Sequence, residues 1–302
     1  MSSVIRVSNL SKSFGDISAV NNLSFTVTAG EVYGFLGQNG AGKSTTIRML
    51  LTLLKPDNGE IEIFGMKLYE HRKEILRKTG AIIEKPDLYK YLSAYDNLRI
   101  FGIISGAKLS SKDIIAQLNY VGLAERAHHK VRTFSQGMKQ RLGLAIALVN
   151  NPDLIILDEP INGLDPQGIA DVRNLIIHLS RNEKKTILIS SHLLNEMELI
   201  ADSLLIIDKG EKIVEGPMQE LIHPEKLKVE LISTNREEAV NYIQSSSWKN
   251  SFVDVTNDII SLEMKKELIP QFNSDLVKNN ILVNSLRPVH TLEDYFLYKT
   301  QH

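Results

Sequence analysis

The chain has no cysteine among its 302 residues. Disulfides, zinc–thiolate sites and a thiol nucleophile are therefore excluded. Charge of a dominant sign is also missing, since 35 Lys and Arg stand against 36 Asp and Glu, for a formal charge of −1. A protein whose main task is to coat nucleic acid carries a basic excess, so no nucleic-acid partner is expected. No uninterrupted apolar segment approaches the ~20 residues needed to cross a bilayer. The opening residues MSSVIRVSNL lack the charged start and apolar core of a secretory leader. The chain is expected to be soluble by itself, with any membrane role reached through a partner. Its length suits one large domain and a smaller one.

What the chain does have is the stretch GQNGAGKST, Gly37 to Thr45, set between the apolar run Val32 to Leu36 and a helical pattern over Thr46 to Leu54. Two glycines followed by Lys43 and Ser44 fit G-x-x-x-x-G-K-[ST], a phosphate-binding loop. Glycine at 37, 40 and 42 lets successive backbone N–H groups turn inward around a polyphosphate. The helix that follows directs its positive N-terminal end at the same anion. Gly37, Asn39, Gly40, Ala41, Gly42, Lys43, Ser44 and Thr45 are thus candidate contacts to a nucleoside triphosphate. Lys43 is placed for the β- and γ-phosphates. The Ser44 hydroxyl suits Mg²⁺, a hard cation that takes oxygen ligands.

Short alternating segments at Val4 to Val7, Leu23 to Val27 and Glu60 to Phe64 read as half-buried strands. Phe14 is expected in a loop between the first two. From about 86 to 151 the pattern turns helical, with Ser93 and Ser110 as N-caps. An α/β rhythm returns as strand Leu154 to Leu157, helix Gln167 to Arg181, strand Thr186 to Ser190, helix Leu193 to Ile200 and strand Leu204 to Ile207. Strands alternating with such helices imply a parallel sheet covered on both faces, with ligands beyond the strands' carboxyl ends. After residue 219 the order becomes extended (Lys226 to Ile232), helical (Arg236 to Gln244), extended twice (Phe252 to Val255, Ile259 to Met264), helical (Glu267 to Lys278) and extended (Ile281 to Ser285). A helix over Thr291 to Lys299 closes the series. That βαββαβ order suits a small appended domain of split-βαβ type over 220–302.

Three further motifs carry chemistry. Asp158 and Glu159 end the apolar strand. Asp158 is placed to hold Mg²⁺ through its water shell, and Glu159 to orient and deprotonate an attacking water. Taken alone, the pair is also compatible with a solvated turn. His192 follows the next strand, where it can donate to a γ-phosphate oxygen, although a lone histidine is more often structural. Ser135, Gln136 and Gly137 open a helix whose N-terminus is a second anion site, or simply a capped helix. Tyr89, Tyr91, Leu92 and Tyr95 are expected to be mostly core, with a groove for a partner's short helix as the alternative. His128 and His129 read as solvated surface.

Gly37 to Thr45, Phe134 to Gln140, Leu154 to Glu159, Gly163-Leu164-Asp165 and His192, in that order, resemble the ATP-binding subunit of an ABC transporter. The resemblance spans Val4 to about Gly216. It implies an α/β P-loop NTPase core with an antiparallel β subdomain and a helical subdomain, and an ATPase using ATP and Mg²⁺. It further implies a pair of copies sandwiching ATP, with Ser135, Gln136 and Gly137 reaching the partner's nucleotide, Asp165 at the seam and Phe14 stacked on adenine. The chain departs from the family's habit in three places. The signature reads FSQGM in place of LSGGQ, Phe14 replaces a more frequent tyrosine, and Glu84 replaces a metal-contacting glutamine. Glutamate can ligate a metal but cannot donate as an amide does. Glu84 with GAIIEKPDLYKYLSAYDNL around it, and the C-terminal extension, resemble exporters that give resistance to bacitracin and lantibiotics. A cytoplasmic subunit docked on the inner membrane face through a separate permease is then expected. The alternatives are a soluble ABC ATPase of translation or DNA repair, and a regulatory module that binds ATP without hydrolysing it. Lys43, Asp158, Glu159 and His192 together argue against the last.

Overall fold

In the computed structural model, which describes residues 2–222, 227–256 and 258–289, the chain divides into two compact units, Met1–Gly216 and Pro217–His302. The first begins with two long strands, β1 (Ser3–Phe14) and β2 (Ile17–Thr28), paired antiparallel. Their alternation is interrupted by register shifts between Val7 and Leu10 and by Asn9 and Asn22 at φ of +52° and +49°. Such bulges break the period of two, so only fragments of these strands are visible as alternation. Phe14 is accordingly not in a loop. It is the last residue of β1, paired with Ile17 across a tight turn.

β3 (Val32–Leu36) leads into α1 (Lys43–Leu50), then β4 (Asn58–Ile63), β5 (Met66–Lys67), α2 (Arg72–Arg77) and β6 (Thr79–Ile82). The helix expected over Thr46 to Leu54 starts and stops earlier. Thr52 turns left-handed at φ +59°, and the Leu53 and Leu54 amides donate back to the Arg48 carbonyl at 2.8 and 3.2 Å. That closure is of the Schellman kind. The helical part follows as α3 (Ala94–Ser105), α4 (Ser111–Tyr120) and α5 (Gln136–Ala147). Ser93 and Ser110 cap α3 and α4, the latter as a full capping box with Asp113. These helices close over their own core of Leu98, Ile114, Leu118, Val131 and Leu142.

Then come β7 (Leu154–Asp158), α6 (Pro166–Arg181), β8 (Thr186–Ser191), α7 (Leu194–Ile200), β9 (Ser203–Asp208) and β10 (Glu211–Pro217). One sheet has the order β2-β1-β4-β5 and the other β10-β9-β3-β8-β7-β6. In the second, β6 pairs parallel with β7, β7 with β8, β8 with β3 and β3 with β9. Every residue of β3, β7 and β8 is buried, as central strands covered on both faces must be.

The C-terminal unit contains α8 (Met218–Ile222), β11 (Leu227–Ser233), α9 (Arg236–Ser245), β12 (Phe252–Thr256), β13 (Ile259–Met264), α10 (Ile269–Lys278) and β14 (Val283–Val289). Its sheet is antiparallel in the order β12-β13-β11-β14, the split-βαβ arrangement. Val229, Leu231, Ile260, Leu262, Phe272 and Leu276 form a separate core. Trp248 packs edge-on to Phe272 at 5.0 Å and donates to Asp275 at 3.1 Å. Helix α10 begins at Ile269 and strand β14 at Val283, both later than expected. The helix expected over Thr291 to Lys299 lies outside the described residues.

Candidate active site

Parallel pairing decides which residues meet. Leu36 is in register with Ser191, and Asp158 with Ser190. The loop after β3, the acids ending β7 and the histidine after β8 therefore emerge at one edge of the sheet, where ligands of such sheets bind. Gly42 turns the loop into α1 at φ +105°, and a Cβ there would lie 2.4 Å from the Ala19 carbonyl oxygen. Only glycine fits that approach.

Lys43 is almost fully buried at 5% exposure. Its Nζ donates to the Gly37 and Gln38 carbonyls at 2.6 and 3.1 Å and lies 3.3 Å from Glu159 Oε1. The other Glu159 oxygen accepts from His192 Nδ1 at 2.8 Å. The structure thus brings together Lys43, Glu159 and His192. Glu159 itself has φ +50°, a conformation rare for a side-chain-bearing residue and costly unless its surroundings hold it.

What holds it is Ser190. This hydroxyl accepts from the Glu159 amide at 2.9 Å and donates to Asp158 Oδ1 at 2.6 Å. Sequence reasoning gave Ser190 no role. Its only signal is that it is one of two serines closing a strand whose middle is aliphatic. Asp158 is fully buried, and its Oδ2 has no hydrogen-bond partner. A buried, orphaned carboxylate oxygen requires an explanation. A hydrated divalent cation supplies one, and the Ser44 hydroxyl, at the start of the adjoining helix, adds another oxygen. Among the described residues no group of three or more His, Asp or Glu is placed to hold a metal.

Ser135 and Asp165 are both helix N-caps, accepting from the Met138 amide at 3.2 Å and the Gly168 amide at 3.0 Å. Gly137 and Gly168 face each other across α5 and α6, where a Cβ on Gly137 would lie 3.3 Å from the Gly168 Cα and 3.9 Å from Asp165 Oδ1. The signature and Asp165 are thus neighbours within one chain. None of the described hydrogen bonds or ion pairs joins them to the Lys43, Glu159 and His192 group.

Phe14 stands apart, half exposed at the tip of its hairpin, with Lys12 Nζ 5.7 Å from its ring centre. Asp57 ties down this tip by accepting from Lys12 Nζ at 2.7 Å and from the Ser13 amide at 2.8 Å. The same two bonds hold the Asp57 carboxyl below its ordinary pKa, the Lys12 bond first. Glu84 is engaged by Arg48 at 2.6 Å. Tyr89 and Tyr91 are 50% and 79% exposed, so they are not core as expected. The buried Asn97 clasps the Tyr89 amide and carbonyl and the Ser93 carbonyl. It spans the loop from inside and leaves both rings outward.

A glycine-rich loop running into a helix, a buried lysine and paired carboxylates at the end of a strand in the same parallel sheet define a P-loop nucleoside triphosphatase. A family described as ABC transporter matches residues 20–162, and one described as AAA domain, putative AbiEii toxin, Type IV TA system, matches residues 129–198. The bacitracin transport ATP-binding protein BcrA of Bacillus licheniformis is 40% identical over 98% of this chain and 97% of its own length. The lantibiotic transport ATP-binding protein SrtF of Streptococcus pyogenes is 45% identical over 70% of this chain and 90% of its own. A dimeric, post-hydrolysis ATP-binding cassette, MJ0796 with ADP and phosphate, superposes with a TM-score of 0.64 at 27% identity, covering 71% of this chain and 98% of that one.

The chain belongs to the ATP-binding subunits of ABC transporters. It is an ATPase, and domains of this kind bind ATP and ADP. The relatives support transport, not translation or DNA repair. No described helix is long and apolar enough to cross a membrane.

Proposed function

We infer that this subunit powers removal of a peptide antibiotic of the bacitracin or lantibiotic class through a separate membrane-spanning permease, on the cytoplasmic face of the membrane. The observation that carries this reading is the end-to-end similarity to a bacitracin transport ATP-binding protein, C-terminal unit included. Two copies sandwich ATP. Residues 1–219 form the nucleotide-binding domain, with its helical part at 86–151, and residues 220–302 an accessory domain that supports the pair.

We assign each residue a task from its setting together with the family resemblance. The N–H groups of Gly37 to Thr45 receive the phosphates, with the positive end of α1 behind them. Lys43 leaves its loop carbonyls and Glu159 for the β- and γ-phosphates. Release of Lys43 frees Glu159 to take a proton from water, and the strained backbone fixes the direction of its carboxylate. With Nδ1 given to Glu159, His192 donates from Nε2 only as imidazolium, since a neutral ring has a single N–H. Ser44, Asp158 and Glu84 would hold Mg²⁺, which when bound neutralises charge on the β- and γ-oxygens. Phe14 stacks on the base. Ser135, Gln136 and Gly137 reach the nucleotide of the other copy, and Asp165 lies at the seam.

The test is deletion of the gene followed by exposure to bacitracin, a lantibiotic and unrelated envelope antibiotics. Sensitisation to a peptide antibiotic alone, with an integral membrane protein co-purifying with the tagged subunit, is the expected result. Unchanged sensitivity throughout, or recovery of ribosomes or DNA in the membrane protein's place, refutes it.

A further inference from the structure

Arg48, the partner of Glu84 in an ion pair, belongs to none of the motifs described above. Arg48 Nη2 donates to Glu84 Oε1 at 2.6 Å. Among the described residues no other side-chain hydrogen bond or ion pair involves either group. Both are well exposed, 46% and 62%, and exposed pairs contribute little to stability. Their position is the informative property.

Arg48 lies four residues after Ser44 on α1, so the two side chains project from one face of the helix, a single turn of about 5.4 Å apart. Ser44 lies in the first turn of the helix beside the phosphate loop. Glu84 follows β6, the strand paired with the one that ends in Asp158, and its φ of +57° turns the chain sharply at that point. Its carboxylate is therefore tethered to the residue one helical turn along from Ser44, whose hydroxyl is assigned to the metal.

The charge at 84 makes the tether consequential. A glutamine there is neutral toward both guanidinium and phosphate. A glutamate repels a triphosphate that carries no metal, and it ligates the metal once present. We propose that Arg48 is a positioning residue that holds the Glu84 carboxylate off the nucleotide until a divalent cation competes for it. The pair thereby sets how much Mg²⁺ the site requires. The proposal rests on the reading of Ser44, Asp158 and Glu84 as oxygen ligands.

The experiment uses the full-length chain and the fluorescent nucleotide mant-ADP. Binding is followed first in EDTA and then during titration with MgCl₂. Removing the guanidinium in Arg48→Ala is expected to weaken metal-free binding roughly threefold to tenfold, because an unneutralised carboxylate then faces the phosphates. The same change is expected to lower the Mg²⁺ midpoint by about as much, because the carboxylate no longer has a competitor. Arg48→Lys retains the charge and is expected to stay near the parent. In a Glu84→Gln background, Arg48→Ala is expected to change either quantity by less than about twofold, since no carboxylate remains to be held. Equal shifts in the parent and Glu84→Gln backgrounds would mean that Arg48 acts on phosphate directly, and would overturn the proposal. So would the absence of a shift in either. If the parent binds mant-ADP identically with and without Mg²⁺, and Ser44→Ala changes nothing, the metal assignment itself fails. That pattern differs from a failure of the Arg48 tether alone.

Discussion

Replacing Ser190 with alanine removes a hydroxyl that serves two acids at once. It is fully buried, accepts from the Glu159 amide at 2.9 Å and donates to Asp158 Oδ1 at 2.6 Å. Asp158 already has one buried oxygen without a partner. The variant leaves the second unpaired and strands the Glu159 amide. A hydrogen bond to a charged group contributes about 1.5–3 kcal/mol, and an orphaned buried donor costs about 1–3 kcal/mol. Local relaxation recovers part of that sum, so the expected loss is about 3 kcal/mol for the β7–β8 region. Hydrogen–deuterium exchange of the nucleotide-free protein, read on peptides spanning 154–160 and 186–192, measures it directly. Exchange there should quicken by about two orders of magnitude, since 1.4 kcal/mol corresponds to tenfold. Hydrolysis should fall at least about tenfold, because the strained backbone that directs Glu159 loses its anchor. A change below about 0.5 kcal/mol, the ordinary scatter of a surface substitution, would show that the hydroxyl does not hold the two carboxylates.

Three further outcomes are expected. Glu159→Gln should slow hydrolysis by at least about a hundredfold while changing ATP affinity only slightly, and ATP-Mg²⁺ should then collect the chain as dimers in sedimentation. Gly42→Ala should cost about 2–3 kcal/mol or more in thermal or urea unfolding and abolish nucleotide binding, since the new methyl meets the Ala19 carbonyl at 2.4 Å in a left-handed backbone. Asp57→Asn loosens the hairpin that carries Phe14, so KM for ATP should rise a few-fold with kcat preserved. The parent should show the same rise only as pH falls below the ordinary aspartate range, because a depressed pKa keeps the tie intact above it.

Legibility in the sequence follows contiguity. A polyphosphate must be wrapped by consecutive backbone amides, so the loop from Gly37 to Thr45 is written as one word. Asp158, Glu159 and His192 are readable because strand ends deliver them. Ser190 and Arg48 are not, because their partners lie more than thirty residues away, at distances set by sheet order alone. The long hairpin shows only in fragments because bulges at Asn9 and Asn22 spoil its period. Tyr89 and Tyr91 mislead differently. Aromatic content points inward, but Asn97 fills the inner side of their loop. In the C-terminal unit the order of elements is visible from hydrophobic pattern, and their ends shift where a short 3₁₀ turn at Lys266–Leu268 precedes α10.

Where α5 and α6 meet, Gly137 and Gly168 oppose one bare backbone to another. Each helix thus lets the other's backbone come closer than facing side chains would allow. One turn on, Arg141 of α5 lies 3.7 Å from Asp171 of α6 and ties the pair. The two caps, Ser135 and Asp165, are thereby kept at one corner. A methyl group at Gly137 would come within 3.3 Å of the Gly168 Cα and wedge that corner open.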